Sequence, residues 1–175
     1  MSVLGTLAAV PASERPDLLA EPVAKAAAGL SGILVAEIDP ELADTAAFCE
    51  AYSSPLEFSA NCVVVSGKRS GEVRFAACLV LATTRADVNG VVKRRLDVRK
   101  ASFAPMAEAV ELTGMEYGGI TPLGLPADWP LLVAPEVAAA EAVVVGSGIR
   151  GSKLAVPGAV LAALPNAEIV EDLGR

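Results

Sequence analysis

Two adjacent glycines followed by a proline form the stretch of this sequence best suited to chemistry. The run 117–124 reads Tyr-Gly-Gly-Ile-Thr-Pro-Leu-Gly. Gly118 and Gly119 leave backbone amides uncovered by side chains, and Pro122 holds the exit of the turn rigid. Such a loop can point the amides near Gly119 and Ile120 at an oxygen that carries or develops negative charge. The alternative is a plain turn, because most glycine–proline clusters are nothing more.

The chain has no histidine, and this limits the catalytic mechanisms open to it. Serine–histidine and cysteine–histidine pairs, an imidazole base and histidine-based metal motifs are all excluded. The three cysteines are odd in number and widely spaced, which fits neither a disulfide framework nor a zinc site. Cys62 lies in an apolar run and is expected to be an inert core thiol. We therefore expect no metal and no cofactor.

Positive charge is concentrated in the middle of the chain. The net charge is −7, yet residues 61–113 carry nine basic and five acidic residues. Five basic residues fall within eight positions: Lys93, Arg94, Arg95, Arg99 and Lys100. This group could contact RNA phosphates, while a solvated helix end is the simpler interpretation. The overall negative charge argues against nucleic acid in general, and a DNA partner is not expected.

The N-terminus and the apolar runs predict a soluble protein. No apolar run approaches the ~20 residues that a membrane helix needs. The short apolar patch at residues 3–10 has no basic residue ahead of it, so the N-terminus lacks the build of a secretory signal. A cytoplasmic location and no membrane partner are the resulting expectations.

Helical and strand patterns alternate along the 175 residues. Helices are predicted at 14–28, after Asp44, after Asp87, at 105–114 and at 157–164; strands are predicted at 32–38, 61–66, 73–82, 99–103, 131–133, 142–145, 153–156 and 168–170. The second and third strands should form a hairpin with a five-residue turn at 67–71. This order predicts an α/β (α+β) fold on a mixed sheet. An N-terminal helical segment, 1–30, is expected to pack on a domain of residues 31–175.

Three of these segments together resemble a known family. They are Leu-Thr-Gly at 112–114, Gly-Gly-Ile-Thr-Pro-Leu-Gly at 118–124 and Val-Gly-Ser-Gly-Ile-Arg-Gly at 145–151. In this order they resemble the YbaK-like family, which is related to the editing domain of bacterial prolyl-tRNA synthetases. The resemblance implies one compact domain with a mixed, partly barrel-like sheet surrounded by helices. It also implies metal-independent hydrolysis of a small amino acid from the 3′ end of mischarged tRNA, with an aminoacyl-tRNA synthetase as a further partner.

The same resemblance assigns roles to individual residues. Gly118, Gly119 and Ile120 would supply the oxyanion donors. Asn61 stands where deacylases of the family carry a lysine. The residues expected to line the substrate pocket are Thr45, Thr121, Ser147 and Gly148. Lys153 could replace the missing cation, although a solvated surface lysine is the favoured interpretation.

Two other functions stay open at this point. A non-catalytic protein could keep the pocket to hold an amino acid, a nucleotide end or a partner protein. The asparagine at position 61 and the net charge of −7 favour this alternative. A hydrolase acting on a small metabolic ester is the third.

Overall fold

The strands form two sheets. The computed structural model describes residues 2–175. Its strands are β1 (Val10–Pro11), β2 (Leu34–Glu37), β3 (Ala60–Arg69), β4 (Glu72–Leu81), β5 (Ala101–Phe103), β6 (Leu131–Val133), β7 (Val143–Gly146), β8 (Ser152–Val156) and β9 (Ala167–Ile169). The helices are α1 (Glu21–Ala27), α2 (Thr45–Tyr52), α3 (Lys93–Leu96), α4 (Met106–Thr113), α5 (Pro135–Ala139) and α6 (Gly158–Ala162).

One sheet is antiparallel and the other is mixed. The first has the order β1-β2-β8-β7, and the second has the order β5-β3-β4-β6-β9, in which β6 runs parallel to β4 and β9. The two sheets meet at a bridge between Ser59 and Val144. The mixed α/β class is therefore confirmed, whereas closure of the strands into a barrel is not.

The β3–β4 hairpin is longer than the sequence predicted. Its pairing runs from Ala60 opposite Leu81 to Arg69 opposite Glu72. Ser70 and Gly71 both have positive φ, +51° and +81°, as a two-residue type I′ turn requires. The predicted five-residue turn was wrong because this tight turn lets both strands continue past Gly67.

The N-terminal helix is also shorter than predicted. Short 3₁₀ turns occupy Ala12–Glu14 and Pro16–Leu18, and α1 begins only at Glu21. Proline fixes φ and lacks an N–H, so Pro16 and Pro22 are accommodated at the starts of separate elements. The short elements β1 and α5 were not predicted.

The interior strands carry the core. Leu79 on β4, Leu132 on β6 and Leu154 on β8 are fully buried. The continuous apolar runs of the sequence become strands covered on both faces, as such runs predict. By contrast β3 is only partly buried, because its first half borders a cavity. Among residues 2–175, no helix is long and apolar enough to cross a membrane.

Candidate active site

A cavity of about 550 Å³ lies where the two sheets meet. Its walls come from the first half of β3, the end of β7, one residue of β8, the start of α2, the segment after β5 and the loop at 117–120. The cavity is large enough for a small organic ligand. Strands fix three of its walls, so most side chains that face it are held by regular backbone.

Asn61 and Thr45 are joined across this cavity. The Thr45 hydroxyl donates to Asn61 Oδ1 over 3.1 Å. Thr45 is the first residue of α2, and Asn61 is the second residue of β3. Because Oδ1 accepts from Thr45, Nδ2 of the amide remains as the donor for a bound molecule. The structure thus brings these two predicted residues together.

Lys153 is buried on the cavity wall. It lies in β8 between Ala36 of β2 and Gly146 of β7, and it is only 8% exposed. Its Nζ lies 5.5 Å from the centre of the Phe48 ring. Burial lowers its pKa, and the nearby charge of Arg150 lowers it further. Within the described chain, no carboxylate forms an ion pair with it and no acceptor receives its protons.

The favoured interpretation of Lys153 as a solvated surface lysine was wrong. β8 is paired along both edges, and its residues are buried on both faces. The signal was present in the sequence, because Lys153 stands inside the run Ser-Lys-Leu-Ala-Val, all five residues of which are buried. A charged group inside such a run is expensive, and an ordinary surface role does not account for it.

Of the three residues predicted to supply oxyanion donors, only two line the cavity. Gly118 and Ile120 line the wall, and their amides have no acceptor within residues 2–175. The Gly119 amide instead donates to the Glu116 carbonyl over 3.0 Å. The predicted oxyanion role of Gly119 therefore does not hold, since its N–H is already engaged.

Gly119 has a packing role. Its carbonyl accepts from the Gly148 amide at 2.7 Å. A Cβ at Gly119 would lie 2.8 Å from the Ile149 carbonyl oxygen, and one at Gly146 would lie 2.5 Å from the Gly119 oxygen. Both distances are shorter than real Cβ contacts. The 117–120 loop and the 146–149 loop thus pack backbone against backbone, which only glycine permits here.

Three residues predicted to line the pocket lie behind its wall. Ser147 is fully buried and accepts from the Ser152 hydroxyl at 2.7 Å. Gly148, with φ of +89°, packs against Ala20 and Val23 of the N-terminal segment. Thr121 is fully buried, and its Oγ1 has no partner among residues 2–175. None of the three lines the cavity; Ser147 and Gly148 hold the loop that does.

A polar bridge beside the cavity was not predicted from the sequence. The Arg150 guanidinium donates to the Tyr117 carbonyl at 3.3 Å and lies 3.9 Å from the carboxylate of Asp44, a cavity residue. The backbone amide of Arg150 donates to the Glu116 carboxylate. Arg150 belongs to the recognised 145–151 segment, so its position in that segment was the available signal.

An apolar rim was missed as well. Phe103, Met106 and Tyr117 line the cavity and are 64%, 54% and 60% exposed. Exposed aromatic side chains beside a cavity can stack on a planar ligand. Phe103 ends a strand and Tyr117 precedes the glycines, so neither stood out in the sequence as a surface residue.

The basic group of the sequence lies outside the cavity and is not uniform. Arg95 forms a two-pronged ion pair with Glu168 on β9. The other four, Lys93, Arg94, Arg99 and Lys100, have no carboxylate within ion-pair distance in the described chain. Arg94, Arg99 and Lys100 are exposed, and Lys93 is partly exposed.

The cavity offers no thiolate. Cys62 lines the wall, but burial strongly raises the pKa of its thiol. The protonated thiol is a poor nucleophile. The described residues also contain no cluster of three or more His, Cys, Asp or Glu placed to hold a metal ion. The residues that line the cavity bring to it the unpaired backbone amides of Gly118 and Ile120, the Asn61 amide and the Lys153 ammonium, together with the Asp44 carboxylate.

These features define a class: a single α/β domain with a cavity that can stabilise negative charge on a small ligand. The chain belongs to the aminoacyl-tRNA editing domain family, whose model matches residues 39–164. Comparison with curated proteins gave no match.

Solved structures share the fold. A candidate trans-editing enzyme for prolyl-tRNA synthetase superposes with a TM-score of 0.73 at 21% identity, covering 87% of this chain and 94% of that one. A structure from a study of computational epitope grafting onto scaffold proteins gives 0.73 at 19% identity, covering 89% and 96%. The hypothetical protein APE2540 gives 0.71 at 19% identity, covering 82% and 92%.

Proposed function

We propose that the protein is an aminoacyl-tRNA deacylase that removes a small amino acid from mischarged tRNA in trans. The observation that carries the proposal is the buried Lys153, with which no carboxylate of the described chain forms an ion pair. It shares one cavity with the Thr45–Asn61 pair and with the amides of Gly118 and Ile120. Membership of the editing domain family gives the substrate class.

The reaction needs little from the protein beyond positioning and charge stabilisation. A water oxygen attacks the ester carbonyl carbon, and the carbonyl oxygen becomes an oxyanion. The amides of Gly118 and Ile120 donate to that oxyanion, each contributing about 3–4 kcal/mol if well aimed. Collapse breaks the bond to the ribose oxygen, which takes up the proton lost by water. The products are the free amino acid and the tRNA.

Proton transfer must proceed without an imidazole, since the chain has no histidine. The neighbouring ribose hydroxyl of the terminal nucleotide, or a thiol in the substrate, can relay the proton from water to the leaving oxygen. An activated ester makes this sufficient once water is held close to the carbonyl carbon. The proposed mechanism uses no metal, so EDTA should not alter the rate.

Lys153 takes the role of the cation that the family carries at the position of Asn61. Its ammonium is buried beside the cavity and has no protein partner to neutralise it. A phosphate or an oxyanion of the substrate would supply that partner, and a charge-assisted hydrogen bond is about twice as strong as a neutral one. Asn61 contributes a neutral donor opposite, oriented by Thr45.

The test is a deacylation panel. tRNAs charged with alanine, serine or cysteine, including tRNA specific for proline, are incubated with the wild type, Lys153→Met and Asn61→Lys. We expect one of them to be hydrolysed well above the spontaneous rate by the wild type, and more slowly by Lys153→Met. The double variant Asn61→Lys/Lys153→Met, which moves the cation to the family position, should recover part of the activity. Failure of all four proteins to exceed background would refute the enzymatic function.

A non-catalytic tRNA- or amino-acid-binding protein is the second candidate. The asparagine at position 61 and the net charge of −7 support it. Under this alternative the protein would bind charged tRNA without hydrolysing it, and the affinity would fall with salt as phosphate contacts require. A flat dependence of log K on log salt would exclude tRNA as the partner.

A further inference from the structure

The short strand β5 joins the cavity rim to a group of cations. Phe103, its last residue, lines the cavity and is 64% exposed. β5 pairs with β3 along one side, from Val65 opposite Phe103 to Gly67 opposite Ala101. It is the edge strand of its sheet, so in the described chain its other side carries no strand. The helical turn Val88–Val92 also contacts β5, and the last two residues of the strand, Ser102 and Phe103, are exposed.

Three exposed cations collect at the far end of this strand. Arg99 and Lys100 precede β5, and Lys68 follows Gly67 on β3. The backbones are in contact there, because a Cβ at Gly67 would lie 2.6 Å from the Lys100 carbonyl oxygen. Lys68 therefore joins the basic group through strand pairing, although it is about thirty residues away in sequence.

The neighbouring acidic group does not neutralise these cations. The Asp97 carboxylate is engaged by Arg69 at 3.2 Å and by Arg74 at 3.7 Å. Within residues 2–175, no carboxylate forms an ion pair with Lys68, Arg99 or Lys100. This end of β5 is thus a positive patch on a chain whose net charge is −7. Such a local excess favours a polyanion over a peptide as the molecule that lies along the edge.

The dimensions suit a short single strand of RNA. Three residues of β-strand span about 10 Å at ~3.3 Å each. Stacked nucleotides rise about 3.4 Å each, so the strand matches about three of them. A nucleotide at the rim would stack on Phe103, and the phosphates behind it would reach the cations.

We propose that the single-stranded 3′ end of the tRNA leaves the cavity across Phe103 and follows the exposed residues of β5 to Lys68, Arg99 and Lys100. This inference rests on the proposed function for the identity of the RNA. The proposed path uses Arg99 and Lys100 but not Arg95. Arg95 pairs with Glu168 on β9, which is the opposite edge strand of the same sheet.

Binding of a labelled, uncharged single-stranded RNA ending in CCA tests the path. Fluorescence anisotropy is measured at several salt concentrations for the wild type, Phe103→Ala, Lys68→Gln/Lys100→Gln and, as a matched control, Arg95→Gln. Phe103→Ala should weaken binding about 5- to 150-fold without changing the salt slope, as loss of one stacked base predicts. The double glutamine variant should reduce the slope of log K against log salt by about 1.4, or about 0.7 per cation. Arg95→Gln should bind as the wild type does.

The test separates this inference from the proposed function, because the probe carries no ester. The path is overturned if Phe103→Ala and Lys68→Gln/Lys100→Gln bind the RNA as tightly as the wild type, or if Arg95→Gln loses as much affinity as they do. Absence of RNA binding by the wild type also overturns it, even if deacylation is observed. All the altered side chains are exposed or partly exposed, and circular dichroism verifies that each variant folds.

Discussion

Replacing Lys153 by methionine should make the protein less active and more stable at the same time. Met keeps most of the side-chain volume beside Phe48 and removes the charge. In the described residues no carboxylate forms an ion pair with the ammonium, so the substitution breaks no internal ion pair, although it removes the contact of the charge with the Phe48 ring. Under the proposed function the lost interaction is a charge-assisted hydrogen bond to the substrate, worth about 1.5–3 kcal/mol. This corresponds to about a 10- to 150-fold loss in kcat/KM.

The stability change has the opposite sign and depends on pH. Burial lowers the pKa of Lys153 from its usual 10.5, so the unfolded chain holds this proton more tightly than the folded one. Below the lowered pKa the charged lysine costs folding free energy, and the cost fades as pH rises from there towards 10.5. Lys153→Met should therefore melt at a higher temperature than the wild type at pH 7, and the difference should shrink near pH 10.5.

Two measurements on the same preparations decide this prediction. Single-turnover deacylation of the fastest tRNA in the panel gives the activity, and thermal unfolding by circular dichroism at pH 7 and pH 10 gives the stability. Lys25→Met is the control, because the Lys25 side chain is 75% exposed and pairs only with Glu21 one turn away. A Lys153→Met protein with wild-type activity, or with a lower melting temperature at pH 7, would refute the reasoning.

Three further predictions concern the cavity walls. Gly146→Ala places a Cβ 2.5 Å from the Gly119 oxygen. It should lower the free energy of unfolding by about 1–3 kcal/mol and Tm by about 2–12 °C. In the control Gly29→Ala, the added Cβ meets nothing within 4 Å, and Tm should stay unchanged. Thr45→Val removes the donor to Asn61 and should lower kcat/KM about 5- to 10-fold, with Thr45→Ser near wild type; equal rates for the two variants would contradict the role of the hydroxyl. Cys62→Ala should retain activity, because burial raises the pKa of this thiol and the protonated thiol is a poor nucleophile; a rate loss above 100-fold would instead point to a nucleophile.

The sequence predicted the strands well because their apolar runs are long and the glycines that interrupt them are few. The strands predicted at 131–133 and 142–145 lie within one residue of β6 and β7. The helix at 105–114 was also placed well, since Pro105 and Gly114 mark its two ends.

The site was less predictable because its geometry depends on contacts between distant residues. The spacing of residues in the sequence could not show that the Gly119 amide donates to the Glu116 carbonyl. Nor could it show that the Ser147 hydroxyl accepts from Ser152 in the interior. Lys153 was misread for another reason. Lysine is usually exposed, and the prediction followed this general tendency instead of the apolar residues that surround Lys153 in its strand.

The N-terminal segment lies outside the family-matched region 39–164, yet it packs against the glycine loops beside the cavity. Ala20 donates its amide to the Ser147 carbonyl, and Ala20 and Val23 cover Gly148. Gly124 at the other end of the glycine loop lies against the Pro22 backbone. The loop that presents Gly118 and Ile120 is therefore clamped from behind by residues of a different part of the chain. A substitution near residue 20 can therefore move this loop, and with it the wall of the cavity, without changing any residue that lines the cavity.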